Sequence, residues 1–205
     1  MANVNHSALT DPYLHEPKGA SSASLNEVYV SDGAGSGSWK KIYLNGIEDY
    51  GDTGTSQALT SGTWVDLTND GLGANTLTTY RLPGYNAIWD TTLNQFDWSG
   101  AGLSLGDTVD IRFDISTTTN TNNDQVAVRL DMAHGHASEY SLGVFRETVK
   151  TAGTVNQTFH YSVYMGNSET LNNPAKVAML SDSAGNSVVV NGWFIRITPI
   201  NPVFL

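Results

Sequence analysis

Cysteine is absent from this chain, and with it go disulfide frameworks, thiolate metal sites and cysteine nucleophiles. Basic residues are scarce: 10 Lys and Arg stand against 20 Asp and Glu, giving a formal charge of −10. Such a surface repels a phosphate backbone, so no nucleic-acid partner is expected. No apolar run approaches the length of a membrane span, and no basic amphipathic helix suggests a membrane surface, so no membrane partner is expected either. The opening MANVNHSALT lacks the basic and apolar regions of a secretory signal, and export by a route such as cell lysis is the expectation. Signatures of catalysis and nucleotide binding are missing as well. There is no Gly-x-Ser-x-Gly elbow and no phosphate-binding glycine motif. The glycine-rich Asp32–Gly37 precedes no helical pattern, and it lacks the alternating acids and terminal Glu of a calcium loop.

What the chain does have is alternation. Hydrophobic residues make up 40% of the sequence, enough for a core. Between Gly106 and Met132, Val109, Ile111, Phe113 and Ile115 alternate with Asp110, Arg112 and Asp114. Val126, Val128, Leu130 and Met132 then alternate with Ala127, Arg129 and Asp131. A period of two with β-branched and aromatic residues on one side predicts two half-buried strands. The polar run Ser116–Gln125 between them predicts an exposed loop, so the stretch reads as a β-hairpin. Each strand then offers one apolar and one charged face, and a second layer is needed to cover the apolar one.

Similar signals recur at even spacing. Thr63–Leu67, Thr76–Leu82, Glu139–Lys150, Val155–Met165, Lys176–Leu180, Ser187–Val190 and Trp193–Thr198 read as strands, with Ser183–Asn186 as a hairpin turn. Ala87–Trp89 and Gln95–Trp98 are weaker pieces carrying aromatic bulk, and Pro199 and Pro202 argue against a strand in the last residues. Nine or ten short strands without a helical pattern predict an all-β, antiparallel two-sheet sandwich; pattern alone leaves jelly roll and immunoglobulin-like topologies both open.

Residues 1–41 differ from the rest. Ala, Ser, Gly, Asn and Pro dominate, and the large apolar residues follow no period. Such a segment cannot bury enough surface to offset its own backbone entropy. It reads either as a floppy leader or as an extended arm that orders on a partner. In the second reading Val28, Tyr29 and Val30 add a strand, and Tyr13, Leu14, His15 and Trp39 anchor it. Residues 46–57, rich in Gly, Asp and Thr, read as a linker, which divides the chain into an arm (1–45), a linker (46–57) and a folded domain (58–205).

Two stretches carry a family resemblance. NHSALTDPYLHEPKGASSAS followed by VYVSDGAGSGSW, within residues 5–39, resembles the amino-terminal arm of bacteriophage head-fibre and capsid decoration proteins. In the body, LSLGDTVDIRFDI, YMGNSETLNNPAKVAMLSD and VVVNGWFIRI resemble the knobs of the same group. The resemblance implies a tumour-necrosis-factor-like jelly roll that assembles as a homotrimer. It also implies an arm docked on the major capsid protein, a location on the capsid exterior of the virion, and contact with host surface glycans as an aid to adhesion. A tail-fibre or receptor-binding tip is the alternative with the same architecture. No cofactor is implied.

Candidate chemistry is sparse, and no catalytic residue is expected. His134 and His136 lie two apart, so on an extended strand they would face the same way, near Asp131 and Glu139. They would supply two metal ligands, or six around a threefold axis, but sequence places no third ligand, and a solvated loop is the simpler reading. Asp107, Asp110, Asp114 and Asp131 offer carboxylates of the kind glycosidases pair, yet the solvent face of an amphipathic strand explains them more simply. Trp64, Trp89, Trp98 and Trp193, with Tyr80 and Tyr85, read as core before sugar platform. If Trp193 faces the core, Phe194 points outward, and Tyr161 and Tyr164 lie on opposite faces of one strand. Apolar side chains on both faces suit a strand packed between its own core and a neighbouring subunit, which makes Tyr161, Tyr164 and Phe194 the candidate trimer interface.

Overall fold

A computed structural model describes residues 23–34 and 36–205. The chain divides into two compact units, Met1–Leu44 with Pro202–Leu205, and Asn45–Asn201.

The first unit is a three-stranded antiparallel sheet of β1 (Glu27–Ser31), β2 (Gly37–Tyr43) and β14 (Val203–Phe204), in the order β1-β2-β14. Tyr29 stands opposite Trp39, their rings 5.5 Å apart and edge-on. The last residues are therefore a strand despite the prolines before them. Pro199 and Pro202 precede the ladder, where no donor is needed, and Leu205 and Lys41 exchange backbone hydrogen bonds of 3.1 and 3.2 Å.

The second unit holds β3 (Gly46–Gly51), β4 (Ser56–Ala58), β5 (Val65–Asp66), β6 (Trp89–Asp90), β7 (Gln95–Phe96), β8 (Thr108–Thr119), β9 (Asp124–Met132), β10 (Tyr140–Val149), β11 (Gly153–Tyr164), α1 (Ser168–Asn172), β12 (Lys176–Ser181) and β13 (Ser187–Thr198). One sheet runs β11-β8-β13-β3, with β4 also on β13; the other runs β10-β9-β12-β5; β6 and β7 pair alone. All these pairings are antiparallel. Successive strands from β10 to β13 alternate between the two main sheets, so apart from the β9–β10 pair neighbours in these sheets come from distant parts of the chain. That order is a jelly roll, and it resolves the choice the alternation left open.

The order also corrects the sequence reading in several places. β8 and β9 are not a hairpin: β8 pairs with β11 and β13, whereas β9 pairs with β10 and β12. Each has one apolar face, and the two strands bury those faces by lying in opposite sheets instead of side by side. The run expected as a loop is mostly strand, with Thr117 and Thr119 buried and only residues 120–123 between the elements. Ser183–Asn186 likewise joins the two sheets. Residues 46–57, read as a linker, contain β3 and β4, both laid along β13. Thr76–Leu82, read as a strand, is a chain of turns with a single bridge at Leu77.

The sheets meet over a core of inward residues from both. Val109, Ile111, Phe113 and Ile115 of β8 are at most 1% exposed, as are Val126, Val128, Leu130 and Met132 of β9. Contacts cross the sandwich: the Tyr161 hydroxyl lies 3.2 Å from the Val128 carbonyl oxygen, and Thr117 Oγ1 lies 4.0 Å from Met179 Sδ. The largest buried side chains form one continuous aromatic chain. Trp98 stacks on Phe96 at 5.2 Å, Phe96 meets Phe113 at 6.0 Å, and Phe113 meets Trp193 at 4.8 Å and Tyr161 at 5.4 Å. Each such ring stabilises by about 2–3 kcal/mol through burial, and the edge-to-face pair of Phe113 and Trp193 adds about 1 kcal/mol more.

A charged pair with a fully buried carboxylate is built into this unit. Glu48, on β3, is 1% exposed and receives the Arg81 Nε at 2.6 Å, the Tyr50 hydroxyl, and the Ile88 N–H at 3.3 Å. Burial first, and then the hydrogen bond to Glu48, push the Tyr50 hydroxyl well above its usual pKa. The pair pins the turns around Arg81 to β3 and satisfies a carboxylate that would otherwise be costly to bury.

Candidate functional site: an open sheet edge

β10 is the edge strand of its sheet, β11 the edge strand of the other, and together they line one open side of the sandwich. A strand packed on a core alternates between buried and exposed side chains. β10 does not: of its ten residues only Val149 is buried, and every other one is exposed except the half-buried Leu142. Tyr140 is 45% exposed, Val144 47% and Phe145 42%; Tyr164, at the end of β11, is 62% exposed. The cause is local. The register against β9 shifts between Leu142 and Phe145, and Gly143 sits in the left-handed region at φ 55°. That bulge turns the strand away from its own core. A side chain at 143 would also meet the Tyr161 ring at 3.1 Å.

This surface is continuous with the interior. Phe145 lies 5.2 Å from Tyr161 and 5.8 Å from Phe159, so the core's aromatic chain ends in a ring open to solvent. Beside it, Gln157 donates to Glu147 at 2.6 Å and accepts from Thr117 at 2.6 Å, which fixes the middle of the edge.

The outer face of the β11-β8-β13-β3 sheet is a second surface. Phe194 lies on it, opposite the buried Trp193, but is half-buried, with the Arg112 guanidinium 5.2 Å from its ring. A hollow of about 450 Å³ is lined by Asp110, Arg112, His160, Ser162, Phe194 and Arg196. Its one carboxylate is already engaged, Asp110 accepting from Ser162 at 2.7 Å, and Asp114 alongside accepts from Arg112 and Thr158, both at 2.8 Å. Partial burial raises the carboxyl pKa of the nearby Asp49, and the Arg112 charge opposes that rise.

The residues singled out in the sequence fall as follows. Tyr161 is 5% exposed and belongs to the chain's own core; of the three expected interface residues Tyr164 is exposed and Phe194 is half-buried. Trp89, Trp98 and Trp193 are core, and Trp64 receives the Arg129 guanidinium 4.2 Å from its ring. His134 and His136 lie in a turn, not on a strand, and part company: His136 Nδ1 faces Glu169 at 3.2 Å, while His134 faces Glu139 and Asp131. Asp131, expected in solvent, is 2% exposed and held by Arg129 and Ser141. Asp107 is buried too, accepting the backbone N–H groups of Ser104 and Ile200, both at 2.8 Å. Val28, Tyr29 and Val30 form β1 and pair with β2 of the same chain, leaving one edge of β1 unpaired among the described residues. Tyr13, Leu14 and His15 lie outside the described residues. The exposed edge itself was missed in the sequence. Its signal was the apolar doublet Val144-Phe145, which breaks alternation inside a strand.

Among the described residues, no helix is long and apolar enough to cross a membrane. No family model matches the chain, and no curated protein matches it. Solved structures are similar to it in fold. Eiger TNF from S. frugiperda is 8% identical with a TM-score of 0.45, over 78% of this chain and 94% of that one. The globular domain of zebrafish complement 1qA protein is 12% identical with a TM-score of 0.42, over 78% and 99%. The PRD1 vertex protein P5 is 17% identical with a TM-score of 0.36, over 78% and 99%. The strand order within this chain makes it a jelly roll independently of these likenesses.

Proposed function

We propose that this protein is a structural, non-catalytic component of a bacteriophage particle, a decoration or head-fibre subunit that assembles as a homotrimer. The observation that carries assembly is β10, a ten-residue strand with aromatic and aliphatic side chains exposed on both faces. A surface of that kind in a water-soluble domain marks a contact with another chain. The resemblance of residues 5–39 to phage attachment arms supports the virion setting. The open edge and the Phe194 face are different patches, so copies that join them pair head to tail, a contact that closes into a ring at the right rotation.

In this reading the first unit is the attachment device. Its sheet carries Tyr29, Trp39 and Tyr43 on one face and Val28, Ile42 and Phe204 on the other. Three such arms on one trimer bind the major capsid protein together, and the raised effective concentration makes a durable attachment out of modest contacts. An outward-facing, acidic knob stays soluble and is placed to touch host surface glycans. The test has two parts. Light scattering of the full chain is expected to give the mass of three copies, and a monomer would remove the trivalent mechanism. Antibody labelling of virions is expected on the head; label on the tail would move the protein to the fibre-tip alternative.

A further inference from the structure

We propose that the turn between β9 and β10 holds a divalent transition-metal ion on Asp131, His134 and Glu139. One ligand atom from each of the three lies within 4.8 Å of the others. Asp131 is next to last in β9, His134 is in the turn, and Glu139 immediately precedes β10, so a nine-residue stretch supplies all three. One imidazole and two carboxylates are the donor set that zinc, manganese and iron(II) accept.

Two further observations point to an ion. His134 Nδ1 is shielded from solvent and has no hydrogen-bond partner, although its backbone N–H is fixed by the Pro174 carbonyl at 2.8 Å. The carboxylate facing it, Glu139 Oε2, is 3.7 Å away. That is too long for a hydrogen bond. It is close to the separation of roughly 3.4 Å between two ligands that each lie about 2.1 Å from a tetrahedral ion.

The donors are also oriented by their neighbours, as metal ligands usually are. The Gly135 N–H donates to Glu139 at 2.7 Å. Arg129 Nε donates to Asp131 Oδ2 at 2.9 Å and Ser141 Oγ to Oδ1 at 2.7 Å, while the guanidinium is anchored over Trp64. The two oxygens of Asp131 keep lone pairs beyond those two bonds. Arg129 supplies positive charge at one side of the site, and the two carboxylates together outweigh it. The turn carries Ala133 at φ 52°, a conformation unusual for a residue with a side chain, and Gly135 at φ 76°. An ion bridging residues 131 to 139 would hold that strained turn and fix where β10 begins. His136, paired with Glu169, stays outside the site.

The proposal stands apart from the virion reading and is tested on the full chain. The protein is stripped with a chelator and titrated calorimetrically with zinc(II), then with manganese(II), at pH 7.5. The expected result is one ion per chain and a higher Tm in its presence. Glu139→Gln and His134→Gln are expected to weaken binding by at least about tenfold, and His136→Gln to leave it unchanged. Glu139 is exposed, so its variant keeps the test open if the His134 variant folds poorly. Three results would overturn the assignment: no saturable binding, equal affinity in Glu139→Gln, or a loss that follows His136, which would identify adventitious binding to surface histidines.

Discussion

The Tyr161 hydroxyl donates to the carbonyl oxygen of Gly143 at 2.8 Å and also lies 3.2 Å from the Val128 carbonyl. A single side chain on β11 thereby ties its sheet to β10 and β9 of the other, at the point where the bulge turns β10 outward. Burial, reinforced by the Asp131 charge, pushes this hydroxyl well above the usual tyrosine pKa.

The sign of the resulting pH dependence follows. The unfolded chain loses this proton near pH 10, whereas the folded chain keeps it to higher pH. The stabilisation is fully present below pH 10 and is lost as pH rises from there through the folded value. Tyr50 adds in the same direction. Urea melts are therefore expected to show a plateau up to pH 9 and a fall above pH 10. Tyr161→Phe should lower stability at pH 7 by about 1–2 kcal/mol, because carbonyls lose their donor, and should flatten the alkaline fall.

Arg81→Ala is expected to cost about 3 kcal/mol, since Glu48 would remain buried with its charge unpaired. Replacing both partners, as Glu48→Leu with Arg81→Met, should restore much of the loss. The check is the urea midpoint of the two variants, and a double variant no better than the single one would contradict this account of the pair.

Val144→Glu combined with Tyr164→Glu places two charges on the open edge. Both positions are exposed, so the fold of one chain should change by no more than about 0.5 kcal/mol. The mass in solution is expected to fall from trimer to monomer. An unchanged mass would move the interface elsewhere.

Deleting residues 203–205 removes β14 and the paired hydrogen bonds between Leu205 and Lys41. Limited proteolysis is expected to cut sooner within residues 23–44, while the melting of the jelly roll stays the same. Equal loss in both units would mean that the two do not fold separately.

Alternation made the strands legible because it is a property of each strand alone. Val109 to Ile115 and Val126 to Met132 face the core as their spacing requires. Strand partners are not encoded that way, because a period of two says which face is buried and not which strand lies alongside. This is how β8 and β9 came to read as a hairpin. The linker reading failed for a different reason. The inward face of Gly46–Gly51 carries the charged Glu48, and it is Arg81, 33 positions later, with Tyr50 and the Ile88 N–H, that makes that residue a core member. Asp131 illustrates the same limit at the candidate metal site. At its place in the alternation it reads as a solvent-facing acid; Arg129 stands two positions before it on the same strand, but Ser141, ten positions on in β10, joins it only in three dimensions.

The strand order has a consequence for synthesis on the ribosome. Among the described residues β8 pairs with β11 and β13, and β13 ends at Thr198. At a translation rate of about 5–20 residues per second, β8 waits roughly 4–16 s for its last neighbour. During that interval Val109, Ile111, Phe113 and Ile115 are exposed beside an unpaired backbone. Asp110, Arg112 and Asp114 interrupt that apolar row, and charges so placed hinder premature pairing with another nascent chain. The same three residues that give the finished sheet its polar face thus protect the chain while the sheet is still incomplete.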